Sequence, residues 1–134
     1  MKSISDKPEI TDWVNKTLAQ SVHTLAARNV IESQIAEAKP SWIFPFSIMI
    51  GKVRTSTSHT QTIWFANSNE LVHFAAEDVA LTPREAARHF ALKWQLDAQR
   101  LYDNDTVDNV LADSLVAQST SLLELVEQDS LWAA

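Results

Sequence analysis

The sequence predicts an α+β fold: an antiparallel meander of three or four strands with helices packed mainly on one face. Three observations lead there. Between residues 46 and 74, apolar residues alternate in short runs, the period of strands. On either side they recur every three or four positions, the period of helices. The connections between the short runs are too brief for crossovers, so consecutive strands are antiparallel neighbours.

Taken in order, residues 1–8 read as a loose tail ending in Pro8. A helix is expected from Thr11 or Asp12, with Val14, Leu18, Val22 and Leu25 on one stripe and Trp13 beside it. Beyond Arg28 the stripe loses register, because Ile31, Ile35 and Ala38 fall on another face. Asn29 is the natural break, being tolerated in the left-handed position after a helix. Residues 30–39 fit a short helix slightly better than an irregular strand, and Pro40 is expected to end either one.

Three strands follow. In FPFSIMIGKVR, Phe46, Ile48 and Ile50 share one face and Ser47, Met49, Gly51 and Val53 the other. TSTSHT reads as a loop. QTIWFA sets Thr62, Trp64 and Ala66 opposite Ile63 and Phe65. Asn67-Ser68-Asn69 has turn composition. ELVHFAA sets Leu71 and His73 opposite Val72 and Phe74.

TPREAARHFALKWQLDAQRL, residues 82–101, has the sharpest helix start in the chain. Thr82 is a good N-cap, Pro83 suits the first helical position, and Glu85 completes a capping box. Ala87, Phe90, Ala91, Trp94, Ala98 and Leu101 form one face, expected to cover one side of the sheet. Leu92 and Leu96 project from nearly the opposite side. A helix apolar on two sides is usually sandwiched, here by another helix or another subunit. Asn104-Asp105-Thr106 is expected to cap a final helix reaching about Leu131. Its apolar face would hold Val107, Val110, Leu111, Leu115, Leu122, Leu125 and Val126. Ser119-Thr120-Ser121 is a candidate kink, and Ser121 with Glu124 matches a second capping box.

Composition bounds the function classes. With 134 residues, one domain (1–134) is expected. The 46% hydrophobic and 21% charged content is that of a soluble globular protein. The longest dense apolar stretch, WIFPFSIMI, is far short of the roughly 20 residues a spanning helix needs. No signal-like run opens the chain, so a cytoplasmic setting without membrane contact is expected. Absence of cysteine removes disulfides, thiolate metal sites and cysteine nucleophiles. The single glycine, Gly51, removes phosphate loops, dinucleotide fingerprints and serine nucleophile elbows, which need glycines at fixed spacing.

The net charge of −6 is uneven. Asp103, Asp105, Asp108, Asp113, Glu124, Glu127 and Asp129 are seven acids in a final segment without lysine or arginine. The preceding residues hold eleven cations and ten acids, or +1. That layout argues against nucleic acid, which requires clustered cations. It suits a basic protein partner, or simply a solvated acidic face.

Reactive constellations are scarce. His23, His59, His73 and His89 show no metal-pair spacing, so no metal and no cofactor is expected. His89 stands four after Glu85 and four before Lys93, the spacing of helical ion pairs. His73, with Glu77 and Asp78 close behind, is a candidate acid–base group, although a hydrogen-bonded sheet histidine is the commoner arrangement. DNDTVD fails as a calcium loop, because Asp108 and Ser114 occupy the positions of the required glycine and glutamate. Trp64 and Trp94 fit core positions. Trp42 and Trp132, at segment ends, are candidate exposed anchors alongside Leu92 and Leu96.

PSWIFPF, followed by the strands and then TPREAARHFALKWQL, resembles a small family of uncharacterised bacterial proteins, a domain of unknown function. The likeness covers roughly residues 40–132 and is densest from Thr82 to Leu96. It implies an α+β fold and a bacterial cytoplasmic setting, and it carries no catalytic residue over. The expectation is therefore a non-catalytic protein-interaction protein, chaperone-like or neutralising, that also self-associates as a homodimer through Leu92 and Leu96. The alternative is a small-ligand binder or weak enzyme with a pocket between sheet and helices near His73, Trp64 and Glu77.

Overall fold

Among the described residues, four antiparallel strands in the order β1-β2-β3-β4 make the sheet: β1 (Ala36–Phe44), β2 (Ile48–Ser56), β3 (Thr60–Ser68) and β4 (Leu71–Ala76). Three α-helices among the same residues complete the α+β fold: α1 (Lys2–Ala27), α2 (Pro83–Asp103) and α3 (Asn109–Val126). The computed structural model describes residues 2–29, 31, 36–56, 60–104 and 109–132. The chain divides into two compact units, Met1–Asp78 and Val79–Ala134.

In the first unit, one face of the sheet meets α1. Met49, Val53, Ile63, Phe65 and Val72 form a buried core with Leu25, joined by Trp13, Val14, Leu18, Ala38 and Ile43. The period-2 pattern delivers this, since Met49↔Asn67, Gly51↔Phe65 and Val53↔Ile63 are cross-strand pairs on one face. On the opposite face Ile48, Ile50, Trp64 and Ala66 are also buried. Gly51 is needed where it stands. A Cβ there would lie 2.4 Å from the Lys39 carbonyl oxygen and 2.7 Å from the Phe65 ring.

α1 begins at Lys2, earlier than the start expected near Thr11, so residues 2–8 belong to the helix and are not a tail. Pro8 lies inside it, removing one helical hydrogen bond, that to the carbonyl of Ile4. The far end is as expected: Asn29 is left-handed (φ 60°) and its N–H donates to the Ala26 carbonyl at 3.0 Å.

The strand β1 decides one open alternative and corrects one expectation. Residues 36–39 are strand, the second of the two alternatives, and Pro40 does not end it. The rest of the 30–39 segment, apart from Ile31, lies outside the described residues. Proline is tolerated because β1 is an edge strand and is bulged between Pro40 and Trp42. The bulge's extra residue lets Ala38 and Ile43, five apart, both pair with core-facing partners, Val53 and Met49. β2 starts at Ile48 and not at Phe46, since Phe46 is left-handed (φ 67°) in the β1–β2 turn, closed by Ser47 N–H to Phe44 C=O at 3.0 Å. The expected turn at Asn67-Ser68-Asn69 sits further on. Asn67 and Ser68 are in β3, and Asn69-Glu70 is the two-residue turn. Of the expected TSTSHT loop, Thr55, Ser56 and Thr60 are in strands, and residues 57–59 lie outside the described residues. The other edge, β4, is guarded by Arg28, whose Nη1 donates to the Val72 carbonyl at 2.7 Å.

The second unit is an antiparallel helix pair. Thr82 Oγ1 accepts from Glu85 N–H at 3.1 Å, as the capping box requires. The reciprocal bond is displaced by one residue: Glu85 Oε1 accepts from Leu81 N–H at 2.8 Å, not from Thr82. Ala87, Phe90, Ala91, Trp94 and Ala98 are buried as the stripe predicts, together with Ala86. Small residues bring the helices close, and Ser119 Oγ donates to the Ala91 carbonyl at 2.8 Å, both residues fully buried. The buried face of α3 is Ala112, Leu115, Ser119, Leu122 and Val126. Val110 and Leu111, expected on that face, are 73% and 48% exposed. Ser121 with Glu124 does not start a new helix, because α3 runs through Ser119–Ser121.

α3 ends at Val126, short of Leu131, and Asp129–Leu131 is a separate 3-10 turn. Tertiary partners satisfy the last carbonyls. Arg84 Nε donates to Val126 C=O at 2.8 Å and Trp132 Nε1 to Leu125 C=O at 2.9 Å. Arg84 also bonds Asp129 at 2.6 Å, a cation placed at the negative end of the helix. The expected start of α3 at Asn104-Asp105-Thr106, with Val107, falls largely outside the described residues. Asn104 itself is the C-cap of α2.

Candidate functional site

Two depressions of about 270 Å³ are lined by neighbouring side chains, one in each unit. In the second unit it lies along the outer side of α2, between His89, Leu92, Lys93, Leu96, Asp97 and Arg100. Leu92 is 48% and Leu96 61% exposed. Asp97 is gripped from both sides, by Lys93 Nζ at 3.8 Å and Arg100 Nη1 at 3.6 Å. The ladder expected through His89 is therefore rearranged. Lys93 pairs with Asp97, the Glu85 carboxylate is committed to the Leu81 N–H, and the His89 ring stands edge-on to Phe90 at 5.7 Å.

The expected anchor tryptophans are each partly covered within their own unit. Trp132 is half-buried and closes the end of α3 with its N–H. Trp42 is half-buried on β1 in the first unit, stacked on Phe44 at 6.4 Å. Of the seven terminal acids, Asp103 accepts from Gln99, Asp113 from Tyr102, Glu127 faces Arg88 at 3.9 Å and Asp129 pairs with Arg84. Asp105 and Asp108, and with them most of the DNDTVD run, lie outside the described residues.

In the first unit, Trp64 and Glu77 are joined directly. Trp64 Nε1 donates to the Glu77 carbonyl at 3.0 Å. Lys52 Nζ lies 4.6 Å from the centre of the indole ring and 3.3 Å from the Glu77 carboxylate. His73, paired with Ala66, sits on the same sheet face as Trp64. The groups that a ligand would use on Trp64 are thus already engaged by Glu77 and Lys52.

The cleft of the first unit is elsewhere, between α1 and the two hairpin turns. Its walls are Trp13, Lys16, Thr17 and Gln20 from α1, Ser47 from the β1–β2 turn, and Asn67, Asn69 and Glu70 from the end of β3 and its turn. The floor is rigid. Asn67, 3% exposed, donates to Gln20 Oε1 and to Ser21 Oγ, and accepts from Glu70 N–H at 3.0 Å. Ser21 passes the network on to the Thr17 carbonyl at 2.7 Å, and Gln20 donates to Thr24 Oγ1 at 2.9 Å. Trp13 is braced by Phe46, with ring centroids 6.1 Å apart. Sequence reasoning missed this site because its residues come from three distant segments. A local signal existed nonetheless: Glu70 follows Asn69 in a turn whose second residue is normally glycine.

Among the described residues, no group of three His, Asp or Glu side chains is placed to hold a metal ion, and no helix is long and apolar enough to cross a membrane. These elements define an α+β protein with a four-stranded antiparallel sheet. More narrowly, the chain belongs to the family of the domain of unknown function DUF4826, whose model matches residues 8–132. That match takes in the resemblance of segment 40–132 and extends it toward the N-terminus. No curated protein and no solved structure matches the chain.

Proposed function

We propose that this protein is a non-catalytic binding protein that acts through protein–protein contact, with the outer face of α2 docking a second copy of the chain. The observation that carries this reading is the pair Leu92 and Leu96, one helical turn apart and about half exposed on a helix that buries Phe90 and Trp94. Burying apolar surface contributes about 25 cal/mol per Å², so two such leucines favour a partner. The flanking charges are self-complementary. In an antiparallel two-fold pairing centred near position 94, Leu92 of one copy meets Leu96 of the other, with Lys93, Asp97 and Arg100 around the contact. A basic partner at the acidic end is less favoured, because Asp103, Asp113, Glu127 and Asp129 already have partners within the unit.

Light scattering across a concentration series tests the reading. The wild-type chain is expected to approach twice its monomer mass as concentration rises, and Leu96→Glu to remain monomeric with an unchanged circular dichroism spectrum. A wild-type chain that stays monomeric throughout the series removes self-docking at this face.

A further inference from the structure

We propose that the cleft between α1 and the hairpin turns of the first unit binds a small zwitterion of the free amino-acid type, Lys16 receiving its carboxylate and Glu70 its ammonium group. The inference is independent of the contact surface on α2.

Four observations lead to it. The cleft, at about 270 Å³, lies just below the roughly 300–1,000 Å³ of drug-sized pockets, so its ligand is small. Its lining carries one cation and one anion, and among the described residues neither Lys16 nor Glu70 has an ion-pair partner. Two opposite charges in one cleft that do not neutralise each other suit a molecule carrying both signs. The floor is already satisfied: Asn67 spends both amide hydrogens and its oxygen on the protein, so recognition falls to the rim. Trp13, held against Phe46, supplies an apolar wall for the ligand's side chain.

Backbone strain points to the same place. Among the described residues four non-glycine positions have positive φ, and two of them, Asn69 (51°) and Glu70 (70°), line the cleft. A third, Phe46 (67°), precedes Ser47 and braces Trp13. Asparagine accepts this conformation readily, whereas glutamate and phenylalanine do not. Glycine would relieve the turn at position 70 but would remove the carboxylate. Strained non-glycine residues of this sort gather where a ligand is clamped.

Isothermal titration of the full chain with a panel of free amino acids provides the test, with thermal shift as a second readout. At least one amino acid is expected to bind saturably and to raise Tm. Its N-acetyl derivative, lacking the ammonium, and its amide, lacking the carboxylate, are expected to bind about tenfold or more weakly. Lys16→Gln and Glu70→Gln should each weaken the free amino acid to the same degree. Glu70→Gly separates ligand recognition from folding, since it should raise the Tm of the free protein while weakening the titration at least as much as Glu70→Gln does. The proposal is overturned if no free amino acid binds at millimolar concentration, if both blocked analogues bind as well as the parent, or if a neutral sugar stacking on Trp13 binds in their place.

Discussion

Asn67 of β3 donates its side-chain amide to the Ser21 hydroxyl of α1 at 2.9 Å, and both residues are shut away from water, at 3% and 0% exposure. This contact is the polar centre of an otherwise apolar seam between helix and sheet. Asn67→Ala would leave the Gln20 carbonyl oxygen and the Glu70 N–H without their partners. A buried polar group stripped of its partner costs about 1–3 kcal/mol. The midpoint of urea unfolding should fall accordingly. Ser21→Ala should cost less, because Asn67 keeps Gln20. Equal and negligible losses in both variants would show that the network contributes nothing to holding α1 on the sheet.

Gly51 makes a sharper case. The Lys39 carbonyl and the Phe65 ring both close over its Cα, so Gly51→Ala must move a backbone oxygen as well as a ring. Overpacking of this kind costs about 1–3 kcal/mol. A coupled rescue is expected: in Phe65→Leu, where the ring is gone, Gly51→Ala should be less damaging than in the wild type. If the two changes are strictly additive, the ring is not what restricts position 51.

The elements that can be read from the sequence are those determined by near neighbours. The start of α2 is one, because Thr82, Pro83 and Glu85 act within a single turn. Its buried stripe is another, and so are the faces of β3 and β4, set by an unbroken alternation. Reading failed where a distant group decides. Pro40 looks like a terminator, yet an edge position and a bulge accommodate it. At the end of α3, Arg84, forty-two residues earlier, takes the carbonyl of Val126. The cleft residues are spread from Trp13 to Glu70, and its floor rests on Ser21 and Asn67, two polar residues that apolar periodicity overlooks. His73, Trp64 and Glu77 group by position in the sequence, and the structure joins Trp64 to Glu77 through the indole N–H, sets Lys52 over the ring and places His73 on the same sheet face as Trp64.

Trp94 and Leu96 stand two positions apart and are opposite in kind. Trp94 is fully buried with its ring 6.4 Å from Phe90, while Leu96 is 61% exposed. Trp94→Ala should cost about 3–5 kcal/mol, the range for removing a large core aromatic. Leu96→Ala should change monomer stability by less than about 0.5 kcal/mol, as surface substitutions do. Chemical denaturation at low protein concentration measures both. A large loss at Leu96 under those conditions would mean that the residue packs inside the chain, and the proposed contact face would lose its basis.

Tyr102, near the end of α2, donates its hydroxyl proton to the Asp113 carboxylate at the start of α3. That hydrogen bond, with some desolvation and the negative charge beside it, pushes the phenol's pKa above its ordinary 10.0. The sign of the effect on stability follows. The native state holds this proton more tightly than the unfolded chain, so the contribution is complete below the unfolded value near 10 and is lost as pH rises through the raised native value. Tyr102→Phe removes the donor. The variant should melt earlier than wild type at neutral pH, and the gap should close on the alkaline side as the wild-type phenol ionises. Thermal melts of both proteins from neutral to strongly alkaline pH would show it. A gap that stays constant over that range would mean that Tyr102 supports the helix pair through its ring alone.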